Sequence, residues 1–301
     1  MIPLIYFHRI SRSEGVDAVS KSAQELLIKV ISSNNITINK KLPIKVHFGE
    51  PGNISFIKPD NFLGMISYIK EQGVDPFYIE TNTAGGPRST SASHLVIAGN
   101  HGFTQLPCII ADGEKGNDHV SIPIKKGKHF TSCLIGRELA SQSQILVISH
   151  FKGHIMSGFG GAIKQLGIGF ASGKGKIIAH SKVEVPDGKS INWSDQTSLY
   201  TGTEFRERSA EYALAAVNGK QYIYITFALS LVKNCDCDGE PMTPVYEDLG
   251  IFAGTDPVAL DKACFDMLQK REGKKPFEGD DIFSYAESIG LGSTTYTLKE
   301  C

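Results

Sequence analysis

Residues 144–172 read QILVISHFKGHIMSGFGGAIKQLGIGFAS, and this stretch decides the fold. Its opening run, Ile145–Leu146–Val147–Ile148, is continuously apolar and short. That pattern predicts a strand covered on both faces, as in a parallel sheet with helices on either side. The strand ends at His150. Behind it come Lys152, His154, Lys164 and glycines at 153, 158, 160, 161, 167 and 169. In open α/β sheets, ligands collect beyond the carboxyl ends of strands. Glycines there let the backbone approach a ligand closely, and a following helix N-terminus aims free N–H groups at an anion.

Outward from this stretch, short β-rich runs alternate with helical spacing, the signature of βα units. Strands are expected at residues 2–8, 44–48, 77–80 and 222–229, and helices at 18–31, 60–71, 91–98 and 204–218. The last clear helix opens at Asp256-Pro257, where Asp caps and Pro is tolerated in the first turn. Residues 120–133 read as a hairpin that breaks the alternation. The expected architecture is α/β, a mainly parallel central sheet flanked by helices, with two lobes and a cleft. The lobes are placed at 1–140 and 141–301.

The 301 residues suffice for a large core without staples. With 31 basic against 32 acidic residues, net charge gives no reason to expect nucleic acid or an anionic membrane as partner. No run approaches the ~20 apolar residues of a membrane span, and the first residues lack the order of a signal peptide. A cytoplasmic protein is therefore expected. Its six scattered cysteines do not make a disulfide framework.

Several groups carry candidate chemistry. His154 is a candidate acid or base, and Lys164 an anion anchor or amine nucleophile. Gly160 and Gly161 are candidates for close approach of backbone to substrate. In residues 80–88, ETNTAGGPR, Asn82 and Arg88 can orient a carboxylate, Arg88 through paired hydrogen bonds. Asn234-Cys235-Asp236-Cys237-Asp238-Gly239 offers two thiols on one side of an extended segment. Cys235 and Cys237, with His150 as a third donor, form a candidate metal site for a soft ion. Competing structural readings are tight packing at the glycines and an ordinary polar turn at the cysteines. The glycine order matches neither a dinucleotide fingerprint nor a P-loop, and no Glu follows His150 as a metalloprotease helix requires.

VHFGEPGN (46–53), ETNTAGGPRSTSASH (80–94), IADGEKGND (110–118), residues 149–176 and NCDCDGEPMTPVYEDLGIFAGTDPVALDKAC (234–264) together resemble the family defined as domain of unknown function 362. Many members carry a ferredoxin-like insert with two four-iron clusters, after the position matching Lys182. Here Lys182 runs directly into residues 183–193 with no C-x-x-C-x-x-C, so four-iron ferredoxin clusters are not expected. Residues 154–164, HIMSGFGGAIK, are locally similar to a His…Gly-Gly…Lys segment of the lactate racemase family, with Gly160 in place of the usual Ser. That resemblance implies a proton-transferring role for His154 and an anchoring role for Lys164. It does not carry over the nickel cofactor.

The function expected is an enzyme acting on a small polar or anionic substrate, a carboxylate or phosphate. Its chemistry is isomerase- or racemase-like proton transfer, with metal or cofactor assistance left open. The alternative is a metal- or iron–sulfur-binding protein with a redox or sensor role centred on Cys235 and Cys237. Small-molecule ligands are the expected partners; homo-oligomerisation and a separate redox partner stay open.

Overall fold

The computed structural model describes residues 2–301. Its centre is one eight-stranded sheet in the order β14-β1-β13-β10-β7-β2-β3-β4. These strands are β1 (Leu4–His8), β2 (Lys41–Lys45), β3 (Asp75–Glu80), β4 (Cys108–Ile110), β7 (Gln144–His150), β10 (Gln221–Ala228), β13 (Gly250–Gly254) and β14 (Thr297–Glu300). Only β13 runs against its neighbours; the other ladders are parallel. The remaining strands form short hairpins: β5 (His119–Pro123) with β6 (Ser132–Gly136), β8 (Lys152–His154) with β9 (Gly158–Gly160), and β11 (Leu231–Val232) with β12 (Pro244–Tyr246).

The central strand reads as expected. All seven residues of β7 are buried, and successive side chains enter opposite cores. Ile145 and Val147 join one core cluster, Leu146 and Ile148 the other. The same alternation splits Tyr222 and Tyr224 of β10 from Ile223 and Ile225. On one face lie α1 (Val16–Ser33), α2 (Leu63–Glu71) and α3 (Ser91–Asn100), with buried residues such as Leu26, Met65 and Ala98. On the other lie α5 (Ala162–Phe170), α6 (Gly173–His180), α7 (Gly202–Val217), α8 (Pro257–Glu272) and α9 (Asp281–Ile289). The short α4 (Arg137–Ser141) leads into β7.

Some boundaries differ from expectation. β2 begins earlier and contains Pro43, a residue that argues against a central strand. Its ladder with β7 uses only Ile44 and Lys45, beyond the proline. Asp256 does cap α8, accepting from the N–H groups of Val258 and Ala259 at 2.9 Å each. A further helix, α9, follows it. β2, from one side of the boundary expected near residue 140, pairs directly with β7 from the other, so the sheet itself runs across that boundary.

Candidate functional site

Parallel strands β2, β3 and β7 end on one edge of the sheet, at Lys45, Glu80 and His150. From β7 the chain proceeds one way to β10, whereas β2, β3 and β4 succeed one another in the other direction. The order thus reverses between β2 and β7, the switch point where α/β sheets leave a crevice. A cavity of about 460 Å³ opens there.

Several chain segments wall it. His47 and Arg88 follow β2 and β3; Lys152, His154 and Lys164 come from the β8–β9 hairpin and α5; Cys235 and Cys237 lie in the turn after β11. Lys152 pairs across the hairpin with Gly160, and His154 with Gly158. Being two apart on a strand, Lys152 and His154 share a face.

The wall is rich in buried cations. Lys45 Nζ lies 2.7 Å from Glu80, Arg88 Nε 2.6 Å from Glu50, and Lys152 Nζ 3.0 Å from Asp236. Arg88 keeps its Nη2 without a partner although the residue is buried. Lys176 rests on neutral oxygens, Thr81 Oγ1 at 2.7 Å and the Thr81 carbonyl at 3.1 Å. Burial, opposed by Glu80 and Asp112, lowers Lys176 to about 8. Lys45 is also lowered, because burial outweighs Glu80. Burial works against the Asp236 carboxylate, yet His150 and Lys152 hold it well below the usual range.

The cysteine turn is tighter than an extended segment. Asp238 N–H donates to the Cys235 carbonyl at 2.9 Å, and the donor atoms of His154, Cys235 and Cys237 all lie within 4.8 Å of one another. His154, not His150, meets the cysteines. His150, expected as a metal ligand, has Nδ1 2.9 Å from Asp236 and Nε2 2.7 Å from the Leu229 carbonyl. Both nitrogens face acceptors, so neither offers a lone pair to a metal.

His154 fits a metal poorly as well. Its Nδ1 accepts the N–H groups of Met156 and Ser157 at 3.1 Å each. A neutral imidazole ligating through Nε2 needs its proton on Nδ1, where these donors leave no acceptor. Ligation through Nδ1 would take the lone pair those N–H groups use. Burial, reinforced by Lys164, lowers His154 to about 4. The ring is therefore neutral, with its proton on Nε2. It resembles a positioned hydrogen-bond donor more than a titrating base. Lys164 Nζ approaches Cys235 Sγ at 3.6 Å. A hydrogen bond from Cys237, against the cost of burial, and the charge of Lys164 hold Cys235 well below the ordinary thiol range.

Two expected substrate contacts turn out to be structural. Asn82 is fully buried; its Nδ2 donates to the Gly113 carbonyl at 2.7 Å and its N–H to Asp112 at 3.0 Å. That ties the loop after β3 to the next one. Gly161 lines the cavity, but a Cβ there would strike the Asp261 carboxylate. Asp261 accepts Ala162 N–H at 2.7 Å and Ile163 N–H at 2.9 Å. The α5 N-terminus, expected to face an anion, is thus capped from within. Gly160 does face the cavity: a Cβ there would sit 3.4 Å from Lys164 Cδ and 3.7 Å from Lys152 Nζ.

Lys45, Lys176 and Asp236 add charges to the site beyond the candidates named from the sequence. The sequence signal for Lys45 is a lysine inside an otherwise apolar strand. Asp236 was hidden between the two cysteines that drew attention. His180 and Trp193, edge-on at 5.5 Å, close the far wall.

Fold and site define a mainly parallel α/β protein with a basic, thiol-bearing cavity at the sheet's switch point. The chain belongs to the family described as domain of unknown function DUF362, whose model matches residues 43–266. Among solved structures, a Thermotoga maritima protein from a structural genomics programme superposes with a TM-score of 0.52 at 11% identity, over 85% of this chain and 59% of that one. The lactate racemase apoprotein from Thermoanaerobacterium thermosaccharolyticum gives a TM-score of 0.45 at 10% identity, over 84% of this chain and 54% of that one. This chain thus spans little more than half the length of either. No curated protein sequence matches it. The first likeness is one of fold. Among the described residues no helix is long and apolar enough to cross a membrane.

Proposed function

We propose that the protein is an enzyme that binds a small carboxylate- or phosphate-bearing substrate in this cavity and moves a proton within it, in an isomerase- or racemase-like reaction. The observation that carries the reading is the charge of the wall. Lys164 has no carboxylate partner, and Arg88 keeps an unpartnered Nη2. A half-buried ammonium without a carboxylate and a buried guanidinium N–H without an acceptor both carry a cost that an anionic ligand relieves. Lys164 anchors, Arg88 orients, and His154 donates Nε2–H to an oxygen that gains charge. The local sequence similarity of residues 154–164 to lactate racemases supports the reaction class.

The test is calorimetric binding of inorganic phosphate, oxalate and lactate to the full chain and to His154→Ala and Lys164→Ala. Saturable binding lost on Lys164→Ala and weakened on His154→Ala is expected, with both variants folded by circular dichroism. Normal binding by both variants would remove the assignment.

The second reading, a metal centre, is favoured by the proximity of His154, Cys235 and Cys237 and opposed by the backbone donors on His154 Nδ1.

A further inference from the structure

The anion site accounts for only part of the cavity. Its volume, about 460 Å³, is that of a pocket for ligands well beyond the size of lactate. The remaining lining includes Met156, Ile168, His180 and Trp193, a wall of apolar and aromatic surface. The rings there form a series. Trp193 meets His180 edge-on at 5.5 Å, and His180 packs on buried Phe205 at 4.7 Å. The His154 ring lies nearly parallel to Phe205 at 6.3 Å.

Trp193, the one tryptophan of the chain, is 41% exposed, yet its loop is held down. Ile191 is buried, and its N–H donates to the Ala84 carbonyl at 3.3 Å. A Cβ on Gly85 would lie 2.8 Å from Ser190 Cβ and 3.5 Å from Trp193 Nε1. The glycine thus admits the segment that carries the indole to the cavity wall. An indole left this open and this fixed offers apolar ring surface to a guest.

His180 adds a polar requirement. Its Nδ1–H donates to the Lys176 carbonyl at 2.6 Å, which places the ring proton on Nδ1. Burial, against the pull of that hydrogen bond, lowers the ring to about 3 and keeps it neutral. Nε2 therefore holds a lone pair, and it has no hydrogen-bond partner among the described residues. The residue is only 6% exposed and lines the cavity, so a bound ligand is placed to supply the missing donor. An alkyl chain would fill the apolar wall and leave Nε2 unanswered. A ring bearing O–H or N–H answers both.

Resting on the reading of the cavity as an anion site, we propose that the substrate is an aromatic acid. Its anionic group lies at Lys164 and Arg88, and its ring packs against Trp193 and His180. A hydroxyl or N–H of the ring donates to His180 Nε2. Trp193 and His180 then set specificity, while Lys164, Arg88 and His154 keep the roles given above.

Lactate, phenyllactate and cyclohexyllactate share one head group, and hydroxyphenyllactate and indolelactate add a donor on the ring. Their binding to the full chain is measured by calorimetry. For phenyllactate, Trp193 emission gives a second readout, since no other tryptophan contributes. Phenyllactate should bind on the order of tenfold tighter than lactate, the worth of a buried ring. Cyclohexyllactate should fall about threefold or more short of phenyllactate, because part of a ring contact is not area. At least one of the two ring donors should gain about threefold or more over phenyllactate, the worth of one hydrogen bond. His180→Phe should erase that gain. Trp193→Leu should weaken phenyllactate on the order of tenfold and leave lactate within about twofold.

Equal affinity for lactate and phenyllactate, cyclohexyllactate matching phenyllactate, or no gain from either ring donor overturns the proposal. So does Trp193 emission that stays unchanged at saturating phenyllactate, or a tightly bound equivalent of metal that is lost on His180→Phe. Lys164→Ala separates the two claims. If lactate and phosphate bind through Lys164 but the ring adds nothing, the aromatic assignment falls and the anion site stands. If phenyllactate binds wild type and Lys164→Ala equally well, the anion site falls, and the aromatic acid with it.

Discussion

Gly161→Ala puts one methyl group against the Asp261 carboxylate, and its cost can be worked out from the cap that carboxylate makes. Asp261 is fully buried and accepts the first two N–H groups of α5 at 2.7 and 2.9 Å. Asp261→Ala leaves both donors without a partner; at about 1–2 kcal/mol for each lost cap bond, it should cost about 2–4 kcal/mol. Gly161→Ala displaces the carboxylate, loses much of the same cap and adds overpacking, for about 3–5 kcal/mol. In the double variant the methyl occupies space the carboxylate has vacated. Its cost should be close to that of Asp261→Ala alone, a coupling of about 2–3 kcal/mol. Urea unfolding at pH 8, where the carboxylate is charged, measures all four species, with unchanged m-values required for the comparison. If the single costs add to within about 0.5 kcal/mol, the glycine is not there to admit Asp261. It would then regain its claim as a substrate contact.

Asp261 also predicts a pH dependence: burial, opposed by the N–H groups of Ile163 and Ala162, raises it from 3.8 to about 7. The folded chain then binds this proton more tightly than the unfolded chain, so the group stabilises at low pH, and that contribution fades as pH rises from about 4 to about 7. Relative to wild type, Asp261→Asn should gain stability over that window, by up to about 4 kcal/mol, and level off above it; a flat difference between pH 4 and 8 contradicts the assignment. Lys45 and Glu80 give a third expectation. Each of Lys45→Met and Glu80→Met strands a buried charge and should cost about 3–5 kcal/mol, while the double variant recovers most of it, as read by chemical denaturation.

How much of this was legible in the sequence depends on the distance a contact spans. β7 is local, and its ILVI run shows both its burial and its place in the sheet. The strand-end rule likewise gathers His154, Lys164, Arg88 and the cysteines around one cavity. His150 and His154 are only four residues apart, and what separates them is the β8–β9 hairpin. It turns His154 toward the sulfurs and leaves His150 to an aspartate 86 positions away. The α5 N-terminus looks open to an anion until Asp261 arrives, 99 positions later, to cap it. Asn82 looks like a substrate ligand for a similar reason. A short polar side chain at a strand end and one that closes a loop carry the same letter. Lys45 reads in the sequence only as a polar residue at a strand end, and its partner Glu80 is brought near once β2 and β3 are in register.

The charges around the cavity can now be matched group by group. Glu80 answers Lys45, Glu50 answers Arg88, and Asp236 serves both Lys152 and His150. Lys164 is left with the Cys235 sulfur, and Lys176 with the oxygens of Thr81 and Asn82. Glu80 and Asp112 oppose the burial of Lys176 only in part, so burial still lowers it to about 8. An anion entering the cavity answers Lys164, so ligand binding and the stability of the fold have the same sign. The same arithmetic disfavours a divalent metal beside Cys235. It would add two positive charges beside Lys164, whose Nζ already lies 3.6 Å from the Cys235 sulfur.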